Sequence, residues 1–545
     1  MTSEQTQPVS MYPELDEATL VQIIRALETG DTSRLAPSRV VEVEQARAQV
    51  EFSRVKVPGA EGVELDGALW RHPDGGPRAV IVMPSPWVDL GWAVYVAQAT
   101  LFALKGYNVL AYTARGFGDS GGEVEVAGPL DVADASLALN FLTARTEGEV
   151  RGVGFLGDSY GSGISQLVAA HDDRVNAVVA LSTWGDLGEA FFENSTRHVA
   201  AVQTLLGAAS KARLSARTRQ AFEDVLANRN VQDTLAWALP RSPYTHVERL
   251  NGNPVSILFA NAWHETLFPT NQMLKVFNAL TRPKRLLMSI GDHSGPESPG
   301  IVGLPNRIWA DAHRWLDHHL LGDDNGIDAE DQVVCQVMWD GGLESRPTWD
   351  TIGERIDRLY LVGAQNGGGA VLADKPGGDW ELTFRAGTDT PATVANKIIM
   401  SGYAEMAGLP KIYRTGQIDR SDAGAWVTAP MPDGRRLRGV PRLRLTYTPG
   451  AADSTLVAHL FDVDVFGLAR IITHAPFTHL GGEAGRPVTV DIELQATGYD
   501  IKDKHRLMLV LDTKDPFYGD ATEAGTTITV SSSDDDPSYL EIPVR

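Results

Sequence analysis

Residues 150–171 read VRGVGFLGDSYGSGISQLVAAH. An apolar strand runs into an apolar-periodic helix across a few residues, with glycine at 157, 161 and 163 and no proline. A strand that hands its chain directly to a helix fits a parallel sheet with helices on its faces. The flanking chain repeats the alternation. "RAVIVMPSP", "YNVLAYTAR" and "VNAVVALSTW" read as buried strands, and "VYVAQATLFALKG" and "LDVADASLALNFLTAR" as helices. From about Gly185 to Leu250 the pattern is helical only. It resumes with the strand "PVSILFANAW", the helix "NQMLKVFNAL", the strand "KRLLMSIGD" and a last helix ending "WADAHRWLDHHLLG". At 545 residues the chain is too long for one core. After the polar link "GDDNGIDAED", short alternating strands such as "RLRLTYTPG", "STLVAHLFDVD" and "HRLMLVLDT" predict an all-β sandwich or jelly roll. The expectation is an α/β domain over residues 46–186 and 251–322, a helical cap inserted at 187–250, and a β domain over 331–545. A polar helical extension, residues 1–45, precedes them.

Two pentapeptides fit G-x-S-x-G, "GDSGG" at 118–122 and "GDSYG" at 157–161. That pattern marks a serine nucleophile on a sharp turn only where a strand precedes it and a helix follows. After Ser120 comes "GGEVEVAGPLDV", with three glycines and a proline, so no helix starts there. After Ser159 the helical pattern begins at once. Ser159 is therefore the candidate nucleophile, and Ser120 belongs to a shaped loop. The N–H of Tyr160, first in the following helix, points where an oxyanion would form.

In this arrangement the acid and the histidine follow the serine in chain order, each in a loop after a later strand. "HETLFPTNQ" offers His264 and Glu265, and "GDHSGP" offers Asp292 and His293. His293 lies in the last strand-end loop before the final helix and is the candidate base. His264 comes too early and leaves no acid upstream of it. Asp292 adjoins His293 in a tight loop, where neighbours rarely aim at each other, and is expected to shape its own turn.

These features together resemble the cocaine esterase and X-prolyl dipeptidyl peptidase superfamily, from about residue 50 to the end. "VELDGALWR" is similar to its early hairpin, "ARGFGDSGGE" to its Arg-Gly loop, "LLGDDNGI" to its hinge, and "LRGVPRLRLTYTPGAADSTLVAHLFDVD" to its jelly-roll core. The resemblance implies an α/β-hydrolase domain, a helical cap, and a jelly roll that helps wall the site. It also implies an acid two residues after a Trp. In "NAWHE" that Trp is Trp263, and Glu265 stands where the family usually carries aspartate. The family often takes one oxyanion donor from a tyrosine in an Asn-Pro-Tyr segment. Here "PSPWVD" places Trp87 there, as an indole donor or as an aromatic wall.

The implied chemistry is acyl transfer to water through Ser159, His293 and Glu265, with a small-molecule ester or amide as substrate. Trp184, Phe191, Phe192 and Trp263 are candidate pocket residues. An X-prolyl dipeptidyl peptidase is the alternative, and it would need acids such as Asp186, Glu189 or Glu193 to hold a free amine. A catalytically silent binding protein on the same fold is the alternative of another class. The net charge of −22 argues against nucleic acid and anionic membrane as partners. The single cysteine, Cys335, builds neither a disulfide nor a thiolate metal site. The histidines fall into no metal pattern, so no metal or cofactor is expected. The N-terminal sequence has no basic and apolar signal pattern, and no apolar run is long enough to span a membrane. The reading is a cytoplasmic enzyme, compatible with a homo-oligomer.

Overall fold

The structure is a computed structural model that describes residues 17–364 and 369–545; the start of the predicted N-terminal extension lies outside them. Its first sheet has ten strands, in chain order β1 (Glu51–Pro58), β2 (Glu64–Arg71), β3 (Arg78–Pro84), β4 (Asn108–Tyr112), β5 (Val150–Asp158), β6 (Ala177–Leu181), β7 (Ser256–Ala262), β8 (Lys284–Ser289), β9 (Val333–Gln336) and β10 (Leu343–Arg346). Their spatial order is β1-β2-β4-β3-β5-β6-β7-β8-β9-β10. From β4 to β9 every neighbouring pair is parallel, and antiparallel pairs finish both edges. This is an α/β-hydrolase sheet. β5 is central, and from Gly152 onward it is buried. A strand covered on both faces reads as a continuous apolar run, which is how this one reads.

α1 (Glu17–Thr29) and α2 (Pro37–Gln49) pack through Leu20, Ile23, Ile24, Leu27, Val43 and Ala46. α2 thus runs four residues past the expected boundary and leads straight into β1. α3 (Val96–Leu104), α4 (Pro129–Thr143) and α5 (Tyr160–His171) follow β3, β4 and β5. The cap holds α6 (Val199–Ala208), α7 (Ala216–Ala227) and α8 (Val231–Ala238). It also holds a two-residue hairpin, Phe192–Glu193 against Thr196–Arg197, that the helical reading did not foresee. α9 (Thr270–Ala279) follows β7 and α10 (Arg307–Leu316) follows β8.

The remaining chain forms a second, antiparallel-dominated sheet system of 14 strands, the C-terminal all-β domain. Its start is a correction to the expected boundary at 331. Val333–Gln336 and Leu343–Arg346 extend the first sheet, in parallel pairing with β8 and then as a hairpin. Short alternating strands look alike in sequence whichever sheet they join. The β domain docks along a polar seam. Arg438, fully buried, pairs with Glu344 of β10 at 2.8 Å and with Asp500 at 2.7 Å. Asn271 at the start of α9 exchanges hydrogen bonds with the backbone of Leu494 and Ala496. One short helix of the β domain, α11 (Met400–Met406), reaches the loop after β8. A Cβ added at Gly402 would stand 2.1 Å from the Cβ of Asp292, so only glycine permits that approach.

Candidate active site

β5 ends at Asp158, and Ser159 then takes φ 52°, ψ −115° as the residue capping α5. That conformation costs a residue with a Cβ roughly 1–3 kcal/mol and persists only where packing over-determines it. Glycine makes the packing possible. A Cβ at Gly161 would lie 2.1 Å from the carbonyl oxygen of Pro84 at the end of β3, so the helix start is pressed against the neighbouring strand end.

The Ser159 hydroxyl lies 2.8 Å from Nε2 of His293, in the loop after β8. On the other side of the ring, Nδ1 lies 3.0 and 3.1 Å from the two oxygens of Glu265, in the loop after β7. Glu265 Oε1 also accepts the backbone N–H groups of Leu267 and Phe268, at 3.1 and 3.2 Å. The extra methylene of glutamate is thus absorbed by a turn that folds back onto its own carboxylate. Ser159, His293 and Glu265 are 1, 0 and 4% exposed, so water does not weaken these bonds. Burial alone would push His293 down. The charge and hydrogen bonds of Glu265, with Asp158 and Asp292 beyond it, raise its pKa above the usual imidazole value.

Asp292 does more than shape its own turn. It accepts the Thr266 backbone N–H and hydroxyl, both at 2.6 Å, and the N–H of His293 at 2.7 Å. It therefore ties the loop that carries Glu265 to the loop that carries His293. Burial and the nearby Glu265 charge push Asp292 up to about 7.

Tyr160 is the first residue of α5, so its backbone N–H is one of the helix's four donors without an intrahelical acceptor. Its phenol donates to Asp131 at 3.0 Å. The indole of Trp87 is a correction. Its Nε1–H donates to the carbonyl of Leu205 in cap helix α6, at 2.9 Å, and so is not presented to the site. The ring packs edge-on against Phe117 and Tyr160, each at 5.0 Å between centroids. Trp87 thus joins the loop after β3 to Phe117, Tyr160 and cap helix α6.

The candidate pocket residues separate. Trp263 is not in a pocket. It donates to the carbonyl of Gln336 at 2.7 Å and fills the seam where a Cβ at Gly498 of the β domain would meet its ring. Trp184 lies over Gly163 of α5, where a Cβ would meet the ring at 2.1 Å, and donates to the carbonyl of Arg241. Phe191 is buried edge-on against Phe222. Phe192 lines an open cavity of about 510 Å³ on the cap, with Leu235 and Leu239. Phe268, missed in the sequence, meets His293 edge-on at 5.3 Å between centroids and Trp184 at a tilt at 5.2 Å. Its place three residues after Glu265 was the available signal. Ser120 donates to the carbonyl of Thr113 and accepts the N–H of Asp66, bonds that hold a loop. Among the described residues no group of three or more histidine, cysteine, aspartate or glutamate side chains is placed to hold a metal. Among them, too, no helix is long and apolar enough to cross a membrane.

Comparison with known proteins agrees with this architecture. A family profile described as X-Pro dipeptidyl-peptidase (S15 family) matches residues 61–295, and one for the X-Pro dipeptidyl-peptidase C-terminal non-catalytic domain matches residues 325–541. A Streptomyces avermitilis protein provisionally named a Xaa-Pro dipeptidyl-peptidase is 22% identical over 404 residues, covering 66% of this chain and 53% of that protein. The chain thus spans about half the length of that relative. Among solved structures, an α-amino acid ester hydrolase superposes with a TM-score of 0.71 at 18% identity, covering 91% of this chain and 97% of the other. A CocE/NonD family hydrolase from Staphylococcus aureus gives 0.70 at 13% identity, covering 91% and 93%. An aminopeptidase from a marine sediment Thaumarchaeota archaeon gives 0.69 at 14% identity, covering 91% and 96%.

Proposed function

We propose a function from one premise: the chain belongs to the superfamily of α/β-fold serine hydrolases that unites cocaine esterase-like hydrolases with the X-Pro dipeptidyl-peptidases of the S15 family. On this reading it cleaves an ester or amide of a small acyl compound through an acyl-enzyme. Ser159 Oγ adds to the substrate carbonyl carbon as its proton passes to His293 Nε2. The tetrahedral oxyanion takes a hydrogen bond from the N–H of Tyr160 and a second from a backbone N–H of the loop after β3. His293 then protonates the leaving group, and the carbon–oxygen or carbon–nitrogen bond breaks. Water, deprotonated by the same nitrogen, releases the acid and restores Ser159. Glu265 holds the Nδ1–H tautomer and stabilises the imidazolium.

The observation that carries this reading is the unbroken line from Ser159 Oγ through both nitrogens of His293 to Glu265, at 2.8 and 3.0 Å.

One observation favours a second reading, cleavage of substrates with a free amino group. Glu193 of the cap hairpin bonds to Gln495 of the β domain, and its second oxygen is buried without a partner. A cavity of about 80 Å³ adjoins it, lined also by Pro269, Gln272 and Lys275. Burial pushes the Glu193 carboxyl up to about 8, so it would re-ionise against an ammonium group. A panel of p-nitrophenyl esters beside Gly-Pro and Ala-Pro anilides separates the readings. Turnover of simple esters, abolished in Ser159→Ala, supports the first. Turnover confined to compounds with a free α-amine, and lost in Glu193→Gln, supports the second. No turnover of either set leaves the silent fold.

A further inference from the structure

Three serines at buried strand ends hold left-handed backbone: Ser159 after β5 (φ 52°), Ser182 after β6 (φ 41°) and Ser294 after β8 (φ 56°). Side chains with a Cβ rarely take that conformation, and clusters of it occur at functional sites. Ser159 is accounted for by its turn. The other two belong to a hydrogen-bonded chain behind His293. The Ser294 hydroxyl donates to Asp158 Oδ1 at 3.2 Å, and the Ser294 backbone N–H donates to the Ser182 hydroxyl at 2.8 Å. Ser182 in turn donates to Glu297 Oε1 at 2.5 Å. The bonds thus link Asp158 to Glu297 through the two serines, and both carboxyls are essentially inaccessible.

Two buried carboxyls whose charges act on each other cannot both ionise cheaply. The groups acting most strongly on Glu297 are Asp158, the Ser182 hydroxyl and, more weakly, Glu265, and none is cationic. Burial and the Asp158 charge raise the Glu297 carboxyl well above the usual carboxylate range. The charged groups acting on His293 are Glu265, Asp158 and Asp292.

We infer that Asp158, Ser182, Ser294 and Glu297 form a positioning network behind His293, in which the two serines carry hydrogen bonds from the two carboxyls to the base loop. The Asp158 charge acts on the imidazole in addition to that of Glu265 and favours its protonated form. The left-handed turns at Ser182 and Ser294 place both hydroxyls in this chain of bonds. Asp158 and Glu297 are positioning residues, since they act through the loop and through charge. The inference rests on the reading of His293 as the base.

The test is a ¹³C histidine NMR titration, with the His293 signal assigned by its loss in His293→Asn, beside the pH dependence of labelling by a fluorophosphonate. In the Asp158→Asn/Glu297→Gln double variant the His293 titration should fall by about one pH unit, and the acid limb of labelling with it. Glu297→Gln alone replaces the raised, protonated carboxyl with an amide of the same shape, so it should not lower the titration. A folded double variant whose His293 titrates as in the wild type overturns the network. Should the double variant fail to fold, Ser294→Gly removes the hydroxyl link while tolerating the backbone. It should slow labelling several-fold, and unchanged labelling overturns the network as well. A wild-type protein that shows the titration shift but never labels would keep the network and sink the hydrolase reading. A protein that labels without the shift would do the reverse.

Discussion

Two histidine–carboxylate pairs meet at one peptide bond. Glu265 pairs with His293 at 3.0 Å. His264, the residue before it, pairs with Glu405 of the β domain at 2.8 Å. The His293 imidazole is fully buried and that of His264 mostly so. In both, burial lowers the pKa and the partner carboxylate more than restores it. They differ in the third partner. The far nitrogen of His293 meets the Ser159 hydroxyl, whereas the far nitrogen of His264 lies 3.1 Å from the carbonyl oxygen of Ile472. A carbonyl can only accept, so it fixes a proton on the His264 nitrogen and leaves no lone pair for base chemistry. A pair with a raised pKa is therefore common to a structural clamp and to a candidate active site, and the group on the outer nitrogen separates them. The His264–Glu405 pair spans two domains, which makes it a docking contact.

The sharpest way to break this comparison is to neutralise each acid in turn. Glu265→Gln should leave circular dichroism unchanged and cut kcat on the order of 10⁴-fold, since an amide favours the wrong imidazole tautomer. Near-wild-type turnover there would remove Glu265 from the site. Asp292→Asn comes next. It replaces an acceptor that takes three donors with a group that can take fewer, so loops that must register to fractions of an ångström would loosen. A loss of about 10- to 100-fold in kcat, with KM little changed, is expected from stopped-flow ester hydrolysis. Glu405→Gln should lower kcat less than about tenfold. It should lower Tm by several degrees, because the mostly buried His264 loses its carboxylate. A kcat collapse there would make the two pairs equivalent and contradict the distinction.

How far the comparison was legible in the sequence follows from the range of each signal. The elbow at Ser159 is local: strand, glycines and helix lie within about twenty residues, and their periodicities show directly. Chain order brought Glu265 and His293 forward, because each sits just past a recognisable strand. Nothing local distinguishes His264 from Glu265 as a partner, since Glu405 lies 141 residues away in another domain. The indole of Trp87 was equally illegible, its acceptor being a backbone carbonyl 118 residues on. Ser182 stands at the end of an ordinary apolar strand pattern, and Glu297 in the proline-containing loop GPESPG, which has no periodicity. The boundary at 331 puts residues 333–346 in the β domain, whereas they extend the first sheet, because no sequence pattern reports a strand's neighbours.

Smaller effects sharpen the account. The acid limb of kcat/KM should lie above the ordinary imidazole value of about 6.5, since His293 must be neutral to take the proton and its pKa is raised. Activity is then fully present above that limb and is lost as pH falls through it. A limb well below 6 would contradict the placement of Glu265. Trp87→Phe keeps an aromatic ring and removes only the bond to Leu205, so it should cost about 1 kcal/mol of stability in urea melts and change kcat only a few-fold. A hundredfold loss would restore the indole as an oxyanion donor.

The central claim is that Ser159, and no other serine, is activated by the His293–Glu265 pair. Labelling the intact protein with a fluorophosphonate, followed by peptide mapping by mass spectrometry, tests it most directly. The account predicts one adduct on the peptide bearing Ser159, absent in Ser159→Ala and strongly slowed in Glu265→Gln. An adduct on Ser120, or label that persists in Ser159→Ala, would contradict it.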